Sequence, residues 1–193
     1  MTLSRLLAAA LMVASALGPA QAQDARLGEG HRVLFSVTDS VKGDDGAMIQ
    51  ATTRLVYEPD AGQYLHTITD GNGRVLTRAV RTTSVAGPTE LESRVARQLI
   101  EEHPEIAALI RDARGPVSIE GGFPLVREEG HPCGPGGRCV TLDVWEAPPT
   151  GERERLRYVI VDLRAVRVLE ADASPQGDSN LAHPAARRQS RLQ

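Results

Sequence analysis

At Pro88 the apolar residues of this chain change their spacing from every second position to every third or fourth, a switch that demands strands followed by a helix. Upstream of it, Arg32 to Thr38, Met48 to Tyr57, Gln63 to Thr69 and Arg74 to Thr83 are rich in Val, Ile, Thr and Tyr and read as strands. The connections Lys42-Gly43-Asp44-Asp45-Gly46, Glu58-Pro59-Asp60-Ala61-Gly62 and Asp70-Gly71-Asn72-Gly73 supply Gly or Asn for positive φ and Asp for local capping. Such short polar loops predict antiparallel neighbours. Asp70 and Asn72 have the spacing of two calcium ligands, but Arg74-Val75-Leu76 adds no further oxygen donor, so a hairpin turn is the reading.

Downstream, Thr89 and Glu92 have the spacing of a capping box, and Leu91, Val95 and Leu99 recur at four-residue steps with Ala96 and Ile100 widening the stripe. Pro104 is excluded from the interior of that helix but suits the first turn of another, so the helix breaks at His103 and continues through Ile106, Leu109 and Ile110. Strand patterns return at Val117 to Val126, Val140 to Glu146, Arg157 to Asp162 and Ala165 to Ala171. Tyr158 to Leu163 is apolar on nearly every residue, which predicts a central strand. The fold class is therefore α+β: an antiparallel sheet with one main helix, broken near Pro104, packed on it.

The first 22 residues have the form of a secretory signal: Arg5, an apolar run from Leu6 to Leu17, and the small-residue site Ala20-Gln21-Ala22. The run ends at Gly18-Pro19, short of a bilayer span, and no cysteine stands at the cleavage point, so no stable membrane anchor is expected. Cleavage near Ala22 leaves roughly 171 of the 193 residues, a length suited to a single domain over 23–173. Residues 174–193, SPQGDSNLAHPAARRQSRLQ, are too poor in apolar groups to pack and are expected to be a disordered tail. The formal charge of −3 is spread over interspersed acids and bases, which argues against nucleic acid as a partner. The expected location is the periplasm or the exterior.

Thr89 to Glu170 carries a family likeness in Glu90-Leu91-Glu92, the His103-Pro104-Glu105 break, Ile106 to Ile110, and Val161-Asp162-Leu163 followed by Val166-Arg167-Val168. In these parts it resembles the small N-terminal accessory domains of copper amine oxidases, whose cystatin-like fold packs a helix on a curved antiparallel sheet. The closing VDL and RVL also resemble the end of a PepSY domain, another exported helix-and-sheet module. The resemblance covers less than half of the mature chain and implies an accessory role without oxidase chemistry. No tyrosine here follows an asparagine, and no two histidines are two apart, so neither the quinone-forming tyrosine nor the copper-binding pair of those oxidases is matched.

Cys133 and Cys139, in HPCGPGGRC, close a Gly/Pro-rich loop and in an exported chain read as a structural disulfide. Five residues separate them where redox pairs have two; a metal site with His131 would need a further ligand and would suit copper or zinc. The histidines His31, His66, His103, His131 and His183 are scattered, and Ser84, Ser93 and Ser118 lack a Gly-x-Ser-x-Gly elbow. The glutamate pairs Glu101-Glu102 and Glu128-Glu129 are adjacent and point apart. A cystatin-type inhibitor loop, Gln-x-Val-x-Gly, is absent. Phe123 and Trp145 are core candidates, or contact residues for a partner if exposed. The residues thus predict an exported, non-catalytic binding or accessory module without a cofactor, its partner another exported protein. The alternative is a periplasmic metal-handling or redox protein centred on His131, Cys133 and Cys139.

Overall fold

The three polar clusters of the N-terminal half turn strands back on themselves. In a computed structural model describing Leu27 and residues 30–43, 46–149 and 151–173, β1 (Arg32–Lys42), β2 (Met48–Glu58), β3 (Gln63–Asp70) and β4 (Val75–Arg81) form an antiparallel meander in that order. At Asp70 the expected hairpin is present: Oδ1 accepts from the Asn72 and Arg74 N–H groups at 3.0 and 2.9 Å, and Gly73 takes the positive φ of 82°. These bonds hold the Asp70 carboxyl below its usual range, the Arg74 N–H contributing most.

Thr89 and Glu92 form the predicted reciprocal box at the start of α1 (Glu90–Glu102), with the Glu92 N–H donating to Thr89 Oγ1 at 3.1 Å and the Thr89 N–H to Glu92 Oε2 at 2.9 Å. The helix ends at His103, whose extended backbone (φ −70°, ψ 125°) is the geometry that a following proline imposes. Pro104 then opens α2 (Pro104–Asp112). Beyond it, β5 (Val117–Leu125), β6 (Cys139–Glu146), β7 (Glu154–Asp162) and β8 (Arg167–Glu170) form a second antiparallel meander, with β7 internal as its apolar run predicts.

The architecture is mixed α+β, but the strands form two four-stranded sheets where a single sheet was expected. Alternation identifies a strand and its faces without naming its neighbour. Here β4 and β5 are separated by the helices, and each meander pairs within itself.

The main core lies against one face of the second sheet. Val95, Ala96, Leu99 and Ile100 of α1 and Ile106 of α2 pack with Val140, Leu142 and Val144 of β6, Val159 and Val161 of β7, and Leu163 and Val166 beyond. Each large aliphatic side chain here contributes about 1.5–3 kcal/mol by leaving water. At the end of β6 the same face carries Glu146, buried beside Arg114, whose backbone N–H and guanidinium both donate to its carboxylate. A smaller cluster on the opposite face holds Leu125, Cys133, Cys139, Ile160 and Ala173. Among the described residues no helix is long and apolar enough to cross a membrane. The signal segment, its cleavage point and the tail from Ser174 lie outside the described residues.

Candidate functional site

The two sheets meet through the loop that Cys133 and Cys139 close. Both cysteines are buried and joined at disulfide distance, their Cα atoms 5.3 Å apart. Held in this ring, the carbonyls of Gly136 and Gly137 accept from Tyr57 Oη at 3.0 Å and Tyr64 Oη at 2.6 Å, one hydroxyl from β2 and one from β3. Tyr57 and Tyr64 are directly opposite across the β2–β3 ladder, with ring centroids 4.8 Å apart. The Gly136 N–H donates to Thr82 O at 2.6 Å, completing the attachment. Burial pushes both phenols above their usual range, and the proximity of Tyr64 adds to the rise at Tyr57.

Arg138, the next residue of the ring, is fully buried and carries the junction into the helix. Its Nη2 lies 2.8 Å from Glu92 Oε2, its Nε 3.2 Å from Oε1, and its remaining donors reach the carbonyls of Ala86 and Gly87 at 2.7 and 2.8 Å. Burial disfavours the guanidinium charge, but the bonds and attraction from Glu92 outweigh it and leave the Arg138 pKa above the ordinary value. Glu92 therefore caps α1 and neutralises a cation at the same time. Arg32 adds a second strut, donating to Leu163 O at 2.7 Å, with its guanidinium 5.9 Å from the Tyr57 ring centroid.

This junction leaves a cleft beside it. The tyrosine rung of the first sheet is covered by the glycine carbonyls; one rung farther along, Phe35, Leu55 and His66 stand in register across β1, β2 and β3. The segment Thr83 to Ala86 and Val126 roof that rung, enclosing about 520 Å³ lined mostly by apolar groups, with Arg81 at its side. Arg81 is opposite Tyr64 in the β3–β4 ladder and so shares the cleft face. Ser84 Oγ accepts from the Ala86 N–H at 3.1 Å, a local turn that shapes the roof.

No family model matches the chain. None of the curated proteins compared with it matches either.

Of the residues singled out in the sequence, Cys133 and Cys139 close the ring at the junction and His66 and Ser84 line the cleft, whereas His131, Phe123 and Trp145 lie outside the cleft. His131 is half-buried, with Nδ1 accepting from the Cys133 N–H at 3.0 Å and Nε2 3.9 Å from Glu170. Among the described residues no three His, Cys, Asp or Glu side chains converge as a metal-binding group. Phe123, 56% exposed, and half-buried Trp145 lie on the second sheet's face away from the helices, opposite Thr141 and Ser118 respectively. Guanidiniums of Arg153 and Arg155 stand 5.0 and 5.8 Å from the Trp145 ring centroid, and Arg153 pairs with Glu120 at 2.7 Å. That hydrogen bond, with a second from Ser118, keeps the Glu120 carboxyl below its usual range. Sequence reasoning missed Tyr57, Tyr64, Arg138 and the cleft. The only available signal was that the two tyrosines flank one tight turn, which makes them cross-strand neighbours.

Proposed function

We propose that this chain is an exported, non-catalytic binding module that takes an apolar ligand or segment into the cleft between its first sheet and residues 83–86. The carrying observation is the cleft itself: about 520 Å³, walled by Phe35, Leu55, Val85, Ala86 and Val126, within the usual volume range of ligand pockets, about 300–1,000 Å³. Its floor is fastened by the tyrosine bonds and its roof by the Arg138 bonds to Ala86 and Gly87, so the site is held ready rather than assembled on binding, which lowers the ordering cost.

The junction supports treating residues 23–173 as a single domain. Packing of α1 and α2 on the second sheet supports the cystatin-like reading of Thr89 to Glu170 and, with it, an accessory role. On that reading Phe123 and Trp145 form the contact with another exported protein, since aromatic and arginine side chains together are favoured at such interfaces. The buried cysteine pair and the secretory pattern of the first 22 residues support export.

The test uses Nile red, an uncharged apolar dye, with the full chain. Saturable fluorescence enhancement that is lost in Phe35→Glu, with the circular dichroism spectrum unchanged, is the expected result; Phe35 is 39% exposed, so its replacement spares the core. Absence of uptake, or uptake indifferent to Phe35→Glu, would reject the cleft as a binding site.

A further inference from the structure

The cleft is apolar on most sides, yet two nitrogen-bearing side chains line it, Arg81 and His66. Arginines around the junction are engaged, Arg32 with a carbonyl, Arg138 with Glu92, and Arg164 with the carbonyls of Gly136 and Asp60, while Arg54 and Arg78 of the first sheet make no side-chain hydrogen bond with the described residues and lie on the face away from the cleft. The Arg81 guanidinium, exposed at the cleft's side, likewise donates no hydrogen bond to the described residues, and it is the one that borders the cleft. A guanidinium at the margin of an apolar cavity offers a planar fork of donors to an anion whose remaining body is desolvated by the walls. One such fork matches one carboxylate, and among the described residues no other arginine or lysine lines the cleft to balance a dianion.

We propose that the cleft binds a free long-chain carboxylate, its alkyl chain against Phe35, Leu55 and Val126 and its carboxylate on Arg81 beside His66. The inference rests on the binding-module reading and adds the chemical class of the ligand. Leu55 and His66 are paired across the β2–β3 ladder, so the anionic and apolar subsites occupy adjacent positions of one rigid sheet. The geometry favours an amphiphile of one negative charge over a neutral alcohol of equal length.

Competition against Nile red on the full chain tests this, with dodecanoate and dodecanol as the two probes. The readout is the ratio of their affinities. Wild type is expected to prefer dodecanoate, and Arg81→Gln to reduce that preference roughly tenfold or more, the scale of a charge-assisted hydrogen bond. Arg78→Gln, on the opposite face of the same strand, is expected to keep the wild-type ratio. If both probes displace the dye equally in wild type, or the ratio survives Arg81→Gln, the ligand class is wrong while the cleft remains a binding site. Failure of Nile red and both probes to bind would remove the underlying module reading. A third arm uses phosphatidylglycerol vesicles: sedimentation of the chain with them that is lost in Arg81→Gln, without displacement of dye by dodecanoate, would assign the arginine to a lipid surface and overturn the proposal.

Discussion

Arg138 and Glu92 stand 2.8 Å apart with 1% and 2% of their side chains exposed, an ion pair sealed between a disulfide ring and the first turn of a helix. A pair this deep is weak evidence of net stability, because desolvating two charges offsets most of their attraction. Its effect is positional. It fixes the ring against α1 while the neighbouring carbonyls hold the tyrosines of the first sheet.

Removing one partner therefore costs more than removing both. Glu92→Leu leaves a buried guanidinium with neutral partners, among them the carbonyls of Ala86 and Gly87, and no counter-charge, and should lower stability by about 3–5 kcal/mol. The Glu92→Leu/Arg138→Met double variant should recover part of that loss, the remainder reflecting the capping bond to the Thr89 N–H and the carboxylate beside Arg32. Urea unfolding of the four proteins of the cycle at neutral pH measures this; a single-variant cost below about 1 kcal/mol would contradict the description of the pair.

Alkaline pH should loosen the same junction. Both phenols have pKa values raised above 10.0 in the folded chain, so the hydroxyls stay protonated there after the unfolded chain has begun to ionise. Their contribution is complete below pH 10 and declines as pH rises through the folded values. The decline is about 1.4 kcal/mol per pH unit for each group while only the unfolded state titrates. Denaturation midpoints at pH 8, 10 and 11 should fall in the wild type and fall less steeply in Tyr57→Phe/Tyr64→Phe. Equal slopes in the two proteins would rule out the tyrosines as the cause.

Breaking the ring should have a small local cost and a distant consequence. The chain-entropy contribution of so short a loop is about 2 kcal/mol, and Cys133→Ala/Cys139→Ala should lose about that much in thermal or urea unfolding. Hydrogen exchange should also accelerate at Gly136, whose N–H is bonded to Thr82 O. Unchanged exchange there would mean that the loop keeps its shape without the cross-link.

Gly137 is tight rather than conformationally special. A Cβ added to it would meet Pro132 O, just ahead of the ring, and would lie 3.0 Å from Cys133 Cα and from Gly134 O within it, so Gly137→Ala must shift the backbone that presents the carbonyl Tyr64 uses. Gly73, at φ 82°, has open space around its Cβ position, and Gly73→Ala should cost only about 1 kcal/mol of backbone strain. Gly137→Ala should cost clearly more by urea unfolding; the reverse order would show that the ring relaxes freely.

Local features were legible in the residues because short-range sterics and hydrogen bonding produce them. The Asp70 turn, the Thr89–Glu92 box and the His103 boundary each involve groups within four positions of one another. The Gly/Pro-rich loop between Cys133 and Cys139 was legible as a disulfide ring for the same reason. Glu92 shows where such reading stops. Its capping role follows from Thr89, but its second role depends on Arg138, 46 residues away, and no spacing rule links them.

By itself, then, the sequence determined which segments become strands and helices, where they turn, and which of their faces are apolar. Only the tertiary structure decided that the strands divide into two sheets, that Tyr57 and Tyr64 dock on glycine carbonyls, and that Phe35, Leu55, His66 and Arg81 border one cleft. The physical reason is range. Periodicity and capping act over a single turn or pleat, whereas sheet partnership and cavity walls come from contacts among segments whose mutual approach is chosen by burial of the whole chain.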